Sequence, residues 1–277
     1  MIDQYAVMGN PVAHSKSPII HAAFAQQLGH QLEYRALLVE PGSFVERVND
    51  FFTHGGKGLN ITVPFKQEAW YLAVNKSPGA TLAGAVNTLL QDQNGVLQGH
   101  NTDGVGLVRD ILQNHGGALA GKSILVLGAG GATRGILLPL LQQNPARICI
   151  ANRTVDKAMQ LVDIFASHGE LEACGYQDLA GQSFDWVINA TSASLQGELP
   201  PLPPQLLKPD AWCYDLMYGA EPTIFCQWAQ QHGATKTLDG LGMLVEQAAE
   251  SFWIWRGVRP ETKTVLNDLR AQMKKLK

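Results

Sequence analysis

A chain of 277 residues is long enough for two domains of ordinary size, and 45% hydrophobic with 16% charged residues is the composition of a well-cored globular protein. The formal charge of −3 offers no basic field for nucleic acid and no polybasic membrane anchor. The first residues show no basic region ahead of a long apolar run, so no signal peptide is expected. The most apolar window, residues 124–141, contains Arg134 and a glycine cluster and fails as a membrane span. Cys149, Cys174, Cys213 and Cys226 are scattered without a Cys-x-x-Cys pair; they read as reduced thiols of a cytoplasmic protein, with no metal site.

Taken in chain order, the first hundred residues alternate strand-like and helix-like stretches. A strand is predicted over 5–8, then a helix over 18–28 with Ile20, Phe24 and Leu28 on one face. A strand over 32–39 and a helix over 43–52 follow. Next come a third strand over 59–63 and a helix that Pro64 opens and that runs to residue 74. Residues 86–91 and 96–98 pattern as a hairpin around Asn94 and Gly95, and a helix over 104–113 leads onward. An apolar strand then runs into Gly128-Ala129-Gly130-Gly131-Ala132, and helical spacing resumes at Ile136, Leu137, Leu140 and Leu141. Beyond it are a strand over 146–151, a helix over 156–167, and strands at 186–189 and 212–215, with a stiff proline-rich loop over 200–204. Leu241, Leu244, Val245, Ala248, Phe252 and Trp255 form a helical core stripe, with Gly240, Met243 and Gln247 on its flank. A last helix from Pro260 packs most economically against the first domain.

The strand–glycine–helix turn is the opening of a Rossmann unit, in which bare backbone and a helix N-terminus receive a pyrophosphate. Thr133 stands where a third glycine is usual, which predicts looser packing of helix on strand. NAD enzymes place an acidic residue about 20 positions beyond the glycines. Here the second strand ends in Asn152-Arg153-Thr154, with Lys157 one helical turn on; these cations suit a 2′-phosphate and point to NADP.

Four polar motifs precede that unit. In the first, Ser17 fits a helix N-cap ahead of Pro18, and Ser15 and Ser17 together offer two hydroxyls to a carboxylate beside a helix terminus. In Asn60-Ile61-Thr62-Val63-Pro64-Phe65-Lys66, the lysine falls in a helix first turn, where a cation is electrostatically disfavoured. Asn87, after Gly84, either ties a strand to a turn or binds a ligand. Thr102 and Asp103, after Asn101, read as an N-cap or as chemistry.

In this order the motifs resemble those of the shikimate dehydrogenase family over nearly the whole chain, from Tyr5 to Gln247. The resemblance extends through the Gly128–Ala132 loop, whose fingerprint in the family absorbs Thr133. It continues through Asn152-Arg153-Thr154, Asn189-Ala190-Thr191-Ser192, Tyr214-Asp215-Leu216-Met217-Tyr218 and Asp239-Gly240-Leu241-Gly242-Met243. It implies two α/β domains. One is a substrate domain of residues 1–102 with 239–277, and the other is a Rossmann-type NADP domain of residues 103–238; a closing cleft lies between them. It implies reversible NADP-linked reduction of 3-dehydroshikimate to shikimate, with Lys66 and Asp103 as the proton-transfer pair; which of the two moves the proton is left open. Ser15, Ser17, Thr62 and Tyr218 then surround the ring carboxylate, and Asn87 and Gln247 the ring hydroxyls. Gly128, Ala129, Gly130, Gly131 and Ala132 hold the pyrophosphate. Asn152, Arg153, Thr154 and Lys157 hold the 2′-phosphate, and Thr191, Met217, Gly240 and Met243 complete the cofactor site. The partner is a small-molecule substrate, with neither nucleic acid nor membrane, and a homodimer is left open. A quinate-preferring relative is the nearer alternative, against which the two serines speak. A non-catalytic NADP sensor is the more distant one, and it has no need of a Lys66–Asp103 pair.

Overall fold

The computed structural model describes residues 2–275, with the backbone alone at Leu195 and Gln196. The chain divides into two compact units, Met1–Gly106 with Val245–Asn267, and Leu107–Leu244 with Asp268–Lys277.

The first unit begins β1 (Asp3–Gly9), α1 (Ser17–Leu28), β2 (Leu32–Leu38), α2 (Phe44–Thr53), β3 (Gly58–Ile61) and α3 (Lys66–Leu72). It continues β4 (Asn75–Lys76), α4 (Pro78–Ala83), β5 (Thr88–Gln91), β6 (Leu97–His100) and the start of α5 (Asp103–Arg109). Its sheet has the order β2-β1-β3-β5-β6-β4, parallel at β2-β1-β3 and antiparallel through the β5–β6 hairpin. One face packs Met8, Leu59 and Ile61 against Phe44, Val48 and Phe52 of α2 and Phe65. Pro64, expected to open α3, instead lies in a turn with a cis bond from Val63, and the helix starts at Lys66.

The second unit has β7 (Ser123–Leu127), α6 (Gly131–Leu141), β8 (Arg147–Ala151), α7 (Val155–Phe165), β9 (Leu171–Cys174), β10 (Phe184–Asn189), β11 (Leu207–Asp215), α8 (Ile224–Gln231) and β12 (Lys236–Asp239). All six strands are parallel in the order β12-β11-β10-β7-β8-β9, the doubly wound dinucleotide-binding order, with β7 and β10 flanking the switch point. Strands buried on both faces read as near-continuous apolar runs, and Ser123–Leu127 is buried throughout. A π-helical turn, Asp110–Asn114, extends α5 into this unit.

The chain ends in α9 (Leu241–Arg256) and α10 (Lys263–Lys275). Leu241, Val245, Ala248 and Phe252 of the α9 stripe are buried, while Leu244 and Trp255 are half-buried. The C-terminal helices join the first unit as far as Asn267. From Asp268 the chain groups with the second unit, where Arg270 Nη1 donates to Asp239 Oδ2 at 2.7 Å and to the Gly219 carbonyl at 3.2 Å. No helix among the described residues is long and apolar enough to cross a membrane.

Candidate active site

In the first unit, two loops are stitched together at the carboxyl ends of β1 and β3. The Thr62 N–H donates to the Met8 carbonyl (2.9 Å) and the Asn10 N–H to the Val63 carbonyl (3.0 Å). A Cβ on Gly9 would lie 2.4 Å from Thr62 Cγ2, so only glycine lets the two loops approach this closely. Ser17 does not cap α1: it is the first helical residue, Lys16 occupies the cap position, and the Ser17 N–H donates to Ser15 Oγ at 3.3 Å. Ser15 Oγ, one residue before the cap position, thus accepts from the first N–H of the helix, and no side chain caps α1. Ser15→Ala is expected to lower stability by about 1 kcal/mol, the usual net worth of one hydrogen bond. Thermal unfolding checks it, and an unchanged midpoint would show that the contact carries no weight.

Lys66 is the first residue of α3, at the end where a helix disfavours a cation, and its Nζ lies 2.6 Å from Asp103 Oδ2. Asp103 opens α5, where a carboxylate is favoured, and its N–H donates to Asn101 Oδ1 (3.1 Å). Each charge thus answers a need of the other, with Lys66 about one-third exposed and Asp103 half as much. The second carboxylate oxygen accepts from Asn87 Nδ2 at 2.8 Å. Asn87 is itself buried and oriented, because its carbonyl oxygen accepts from the Thr102 N–H (3.0 Å). Thr102 Oγ1 also donates to Gln247 Oε1 of α9 (3.3 Å), bringing Gln247 beside Asn87. Thr102 and Asp103 are thus both the start of a helix and part of a polar cluster. Ser15 and Thr62 stand on the two stitched loops of the same unit, and Ser17 opens α1 directly after the first of them.

Beneath this cluster runs a buried network that sequence reasoning missed. Asn60 Nδ2 donates to Thr88 Oγ1 (3.2 Å) and Ser251 Oγ (3.0 Å), and Tyr34 Oη donates to Asn60 Oδ1 (2.7 Å). Ser251 lies four residues after Gln247 on α9, so the polar flank 240-243-247 continues one turn further; that spacing was the available signal. His21 stacks on Tyr34 with ring centroids 4.3 Å apart, and burial pushes its imidazole down to about 3. It is neutral near pH 7 and supplies no proton.

In the second unit, β7 ends at Leu127, and the next residue, Gly128, has a φ of +99° that demands glycine. Gly130 caps α6, and a Cβ added at Gly130 or Gly131 would meet only open space. Bare backbone at a helix N-terminus is thus presented outward, the arrangement a pyrophosphate needs. Thr133 does not loosen the turn: its fully buried hydroxyl donates to the Gly128 carbonyl at 2.8 Å. Asn152 Oδ1 accepts from the Ala129 N–H (3.2 Å) and its Nδ2 donates to the Thr154 carbonyl (2.7 Å), clasping the glycine turn to the end of β8.

Asn152, Arg153, Tyr176, Thr191 and Ser192 line a cavity of about 390 Å³ closed on another side by residues 198–201. Arg153 and Lys157 are both exposed, but Lys157 is not among the lining residues. Tyr176 and the start of the proline-rich loop are cavity walls the motifs did not announce. Met217, Gly240 and Met243 cluster at the ends of β11 and β12. The Gly240 N–H donates to the Met217 carbonyl (3.1 Å), and a Cβ there would lie 2.0 Å from the Leu216 carbonyl oxygen. Tyr214 Oη accepts from the Met243 N–H at 3.2 Å. Tyr218 belongs to this unit and is half-buried, with burial pushing its phenol up. The flank of α9 is shared: Met243 groups with the second unit and Gln247 with the first. Among the described residues, no three His, Cys, Asp or Glu side chains gather as a metal site.

A doubly wound sheet with a glycine turn and a basic strand end, on a chain that also carries a lysine–carboxylate pair, has the equipment of a dinucleotide-dependent oxidoreductase. Family models agree. Residues 7–89 match the shikimate dehydrogenase substrate binding domain, residues 110–196 match shikimate / quinate 5-dehydrogenase, and residues 240–270 match the shikimate 5'-dehydrogenase C-terminal domain. The chain is 58% identical to the shikimate dehydrogenase (NADP(+)) of Alkalilimnicola ehrlichii over 98% of its own length and all of the relative's. Among solved structures, the Ael1 enzyme from Pseudomonas putida superposes with a TM-score of 0.92 at 48% identity, covering 96% of this chain and 98% of that one. Shikimate 5-dehydrogenase from Thermus thermophilus, in complex with NADP(H) and shikimate, gives 0.86 at 32%, covering 98% and 99%. The chain belongs to the shikimate dehydrogenase family.

Proposed function

We propose that the protein catalyses the reversible NADP-dependent reduction of 3-dehydroshikimate to shikimate, a cytoplasmic step of aromatic amino-acid biosynthesis. The observation that carries the chemistry is the 2.6 Å contact of Lys66 Nζ with Asp103 Oδ2 within the unit that matches the substrate-binding domain.

Bound NADPH supplies the hydride that reduces the ring carbonyl. As that oxygen gains negative charge it needs a proton, and Lys66 donates one from its ammonium; in the oxidative direction it takes the hydroxyl proton back. Lys66 is exposed enough to exchange that proton with water. Asp103 holds the ammonium in place through Oδ2, while Asn87 fixes the carboxylate through Oδ1. Ser15 and Thr62 from the two stitched loops and Ser17 from the start of α1 bind the substrate carboxylate, and Asn87 and Gln247 bind ring hydroxyls.

The open positions at Gly130 and Gly131 and the outward-facing helix terminus fit a pyrophosphate. Gly128 to Ala132 hold it. Asn152, Arg153 and Thr154 hold the 2′-phosphate with help from Lys157, and Thr191, Met217, Gly240 and Met243 complete the site.

The family model that matches residues 110–196 takes its name from both shikimate and quinate, so the test sets the two against each other. NADPH formation followed by its absorbance is expected with shikimate and NADP, with quinate far slower. Equal rates with quinate would overturn the substrate assignment.

A further inference from the structure

β10 and β11 end side by side at the carboxyl edge of the parallel sheet, with Asn189 paired in register with Asp215. Both side chains are completely buried. Asp215 Oδ1 accepts from Asn189 Nδ2 (3.1 Å) and from the Met217 N–H (3.1 Å), and Oδ2 accepts from Ser194 Oγ (2.7 Å) and Thr223 Oγ1 (2.6 Å). Asn189 extends the network: its carbonyl oxygen accepts from the Thr191 N–H (3.2 Å) and from Thr191 Oγ1 (2.7 Å). One carboxylate, held by four neutral donors, therefore ties together the loop after β10, the loop after β11 and the first residues before α8.

A buried carboxylate is a poor choice for stability alone. Burial pushes the Asp215 carboxyl above the usual range despite the Thr223, Ser194, Met217 and Asn189 donors. A pair of well-packed apolar residues avoids that cost. What an apolar pair does not do is set the direction of four separate groups. Of the residues assigned to the cofactor, Met217 is held by Asp215 directly and Thr191 through Asn189. Thr191, Ser192 and Ala193 form one wall of the 390 Å³ cavity that also presents Arg153. Thr191 also packs against the glycine turn, where a Cβ on Gly128 would lie 3.0 Å from its methyl group.

We propose that Asp215, acting through Asn189, is a positioning residue that sets the Thr191 and Met217 loops in the geometry that receives the dinucleotide. The proposal rests on the cofactor assignment above, and the test separates the two. NADPH affinity is measured directly by fluorescence titration of the full-length protein, alongside thermal unfolding and the KM for shikimate at saturating NADP. Asp215→Asn keeps the shape but turns one acceptor into a donor facing Ser194 and Thr223. It is expected to weaken NADPH binding about tenfold, the worth of roughly one hydrogen bond to a charged group, and to leave the shikimate KM within about twofold. Ser194→Ala, which removes one donor and does not touch the cavity lining, is expected to weaken NADPH binding about threefold; it decides the matter if the Asp215 variant does not fold. Arg153→Ala tests the assignment itself. If Arg153→Ala weakens NADPH binding while Ser194→Ala and any folded Asp215→Asn lower only the unfolding midpoint, Asp215 is structural and the proposal is overturned. If Arg153→Ala leaves the affinity at the wild-type value, the cofactor assignment fails, and the proposal with it.

Discussion

Replacing Lys66 by alanine is expected to lower kcat by about 10²–10⁴, the usual contribution of a positioned acid–base group, while the KM for shikimate changes far less. The split follows from geometry. Lys66 sits at the unfavourable end of α3 and points at Asp103, whereas the proposed carboxylate ligands stand on the loops after β1 and β3 and at the start of α1. Removing the ammonium therefore leaves Ser15, Ser17 and Thr62 in place. Asp103→Asn preserves the hydrogen-bonding shape and removes the charge that holds Nζ, so a smaller fall with a displaced pH–rate profile is expected. Steady-state kinetics on both variants check this. Near-normal turnover in Lys66→Ala with only a raised KM would contradict the assigned role, and an unmoved profile in Asp103→Asn would remove Asp103 from the pair.

The second large effect concerns the cofactor. Arg153→Ala is expected to erode a preference for NADP over NAD by about tenfold, at the lower end of the 1.5–3 kcal/mol typical of hydrogen bonds to charged groups, because the guanidinium is exposed and water screens it. The loss should appear in the KM for NADP and leave that for NAD nearly unchanged, since an unphosphorylated ribose offers nothing for this cation to hold. Lys157→Ala should do less, because Lys157 is exposed and lies off the cavity lining. Kinetics with both cofactors are the check. A wild-type protein indifferent to the 2′-phosphate, or an Arg153 variant that loses NAD and NADP equally, would rule the reading out.

Local chemistry was the legible part of the sequence. The strand and helix expected on either side of Gly128 to Ala132 are both present, and Arg153, the residue from which a 2′-phosphate is inferred, stands exposed just beyond the next strand. Lys66 stood out because its helix end repels a cation, and the structure supplies the compensating Asp103, 37 positions along the chain. Single-position inferences fared worse. Pro18 and Pro64 both suggested helix starts, yet α1 begins one residue before Pro18 and α3 two residues after Pro64. Proline fixes its own φ and loses a donor, which suits a helix's first residue and equally a turn ahead of it. Thr133, in place of the usual third glycine, adds bulk that by itself predicts looser packing, an objection the family fingerprint removes; its hydroxyl makes that bulk a tie across the turn.

Short elements escaped the pattern because they hold too few residues to show a period. β4 has two residues and α4 six, while β9 and β12 have four each at sheet edges. α8 is a different case, since Thr223 capping it through the Cys226 N–H was a readable signal. The supporting networks, Tyr34-Asn60-Ser251 in one unit and Asn189-Asp215-Thr223 in the other, join residues 8 to 191 positions apart. No spacing rule joins such residues; the order of the strands in each sheet and the packing of α9 and α8 beside them bring them together.

The most direct test of the central claim follows an atom. 3-Dehydroshikimate is incubated with the protein and with NADPH carrying deuterium at both positions of the reactive nicotinamide carbon, and the product is read by mass spectrometry and NMR. The account predicts shikimate with one deuterium on the carbon that bore the carbonyl, formed by the wild-type protein and lost in proportion to turnover in Lys66→Ala. Failure of the wild-type protein to form shikimate, or shikimate without deuterium at that carbon, would contradict it.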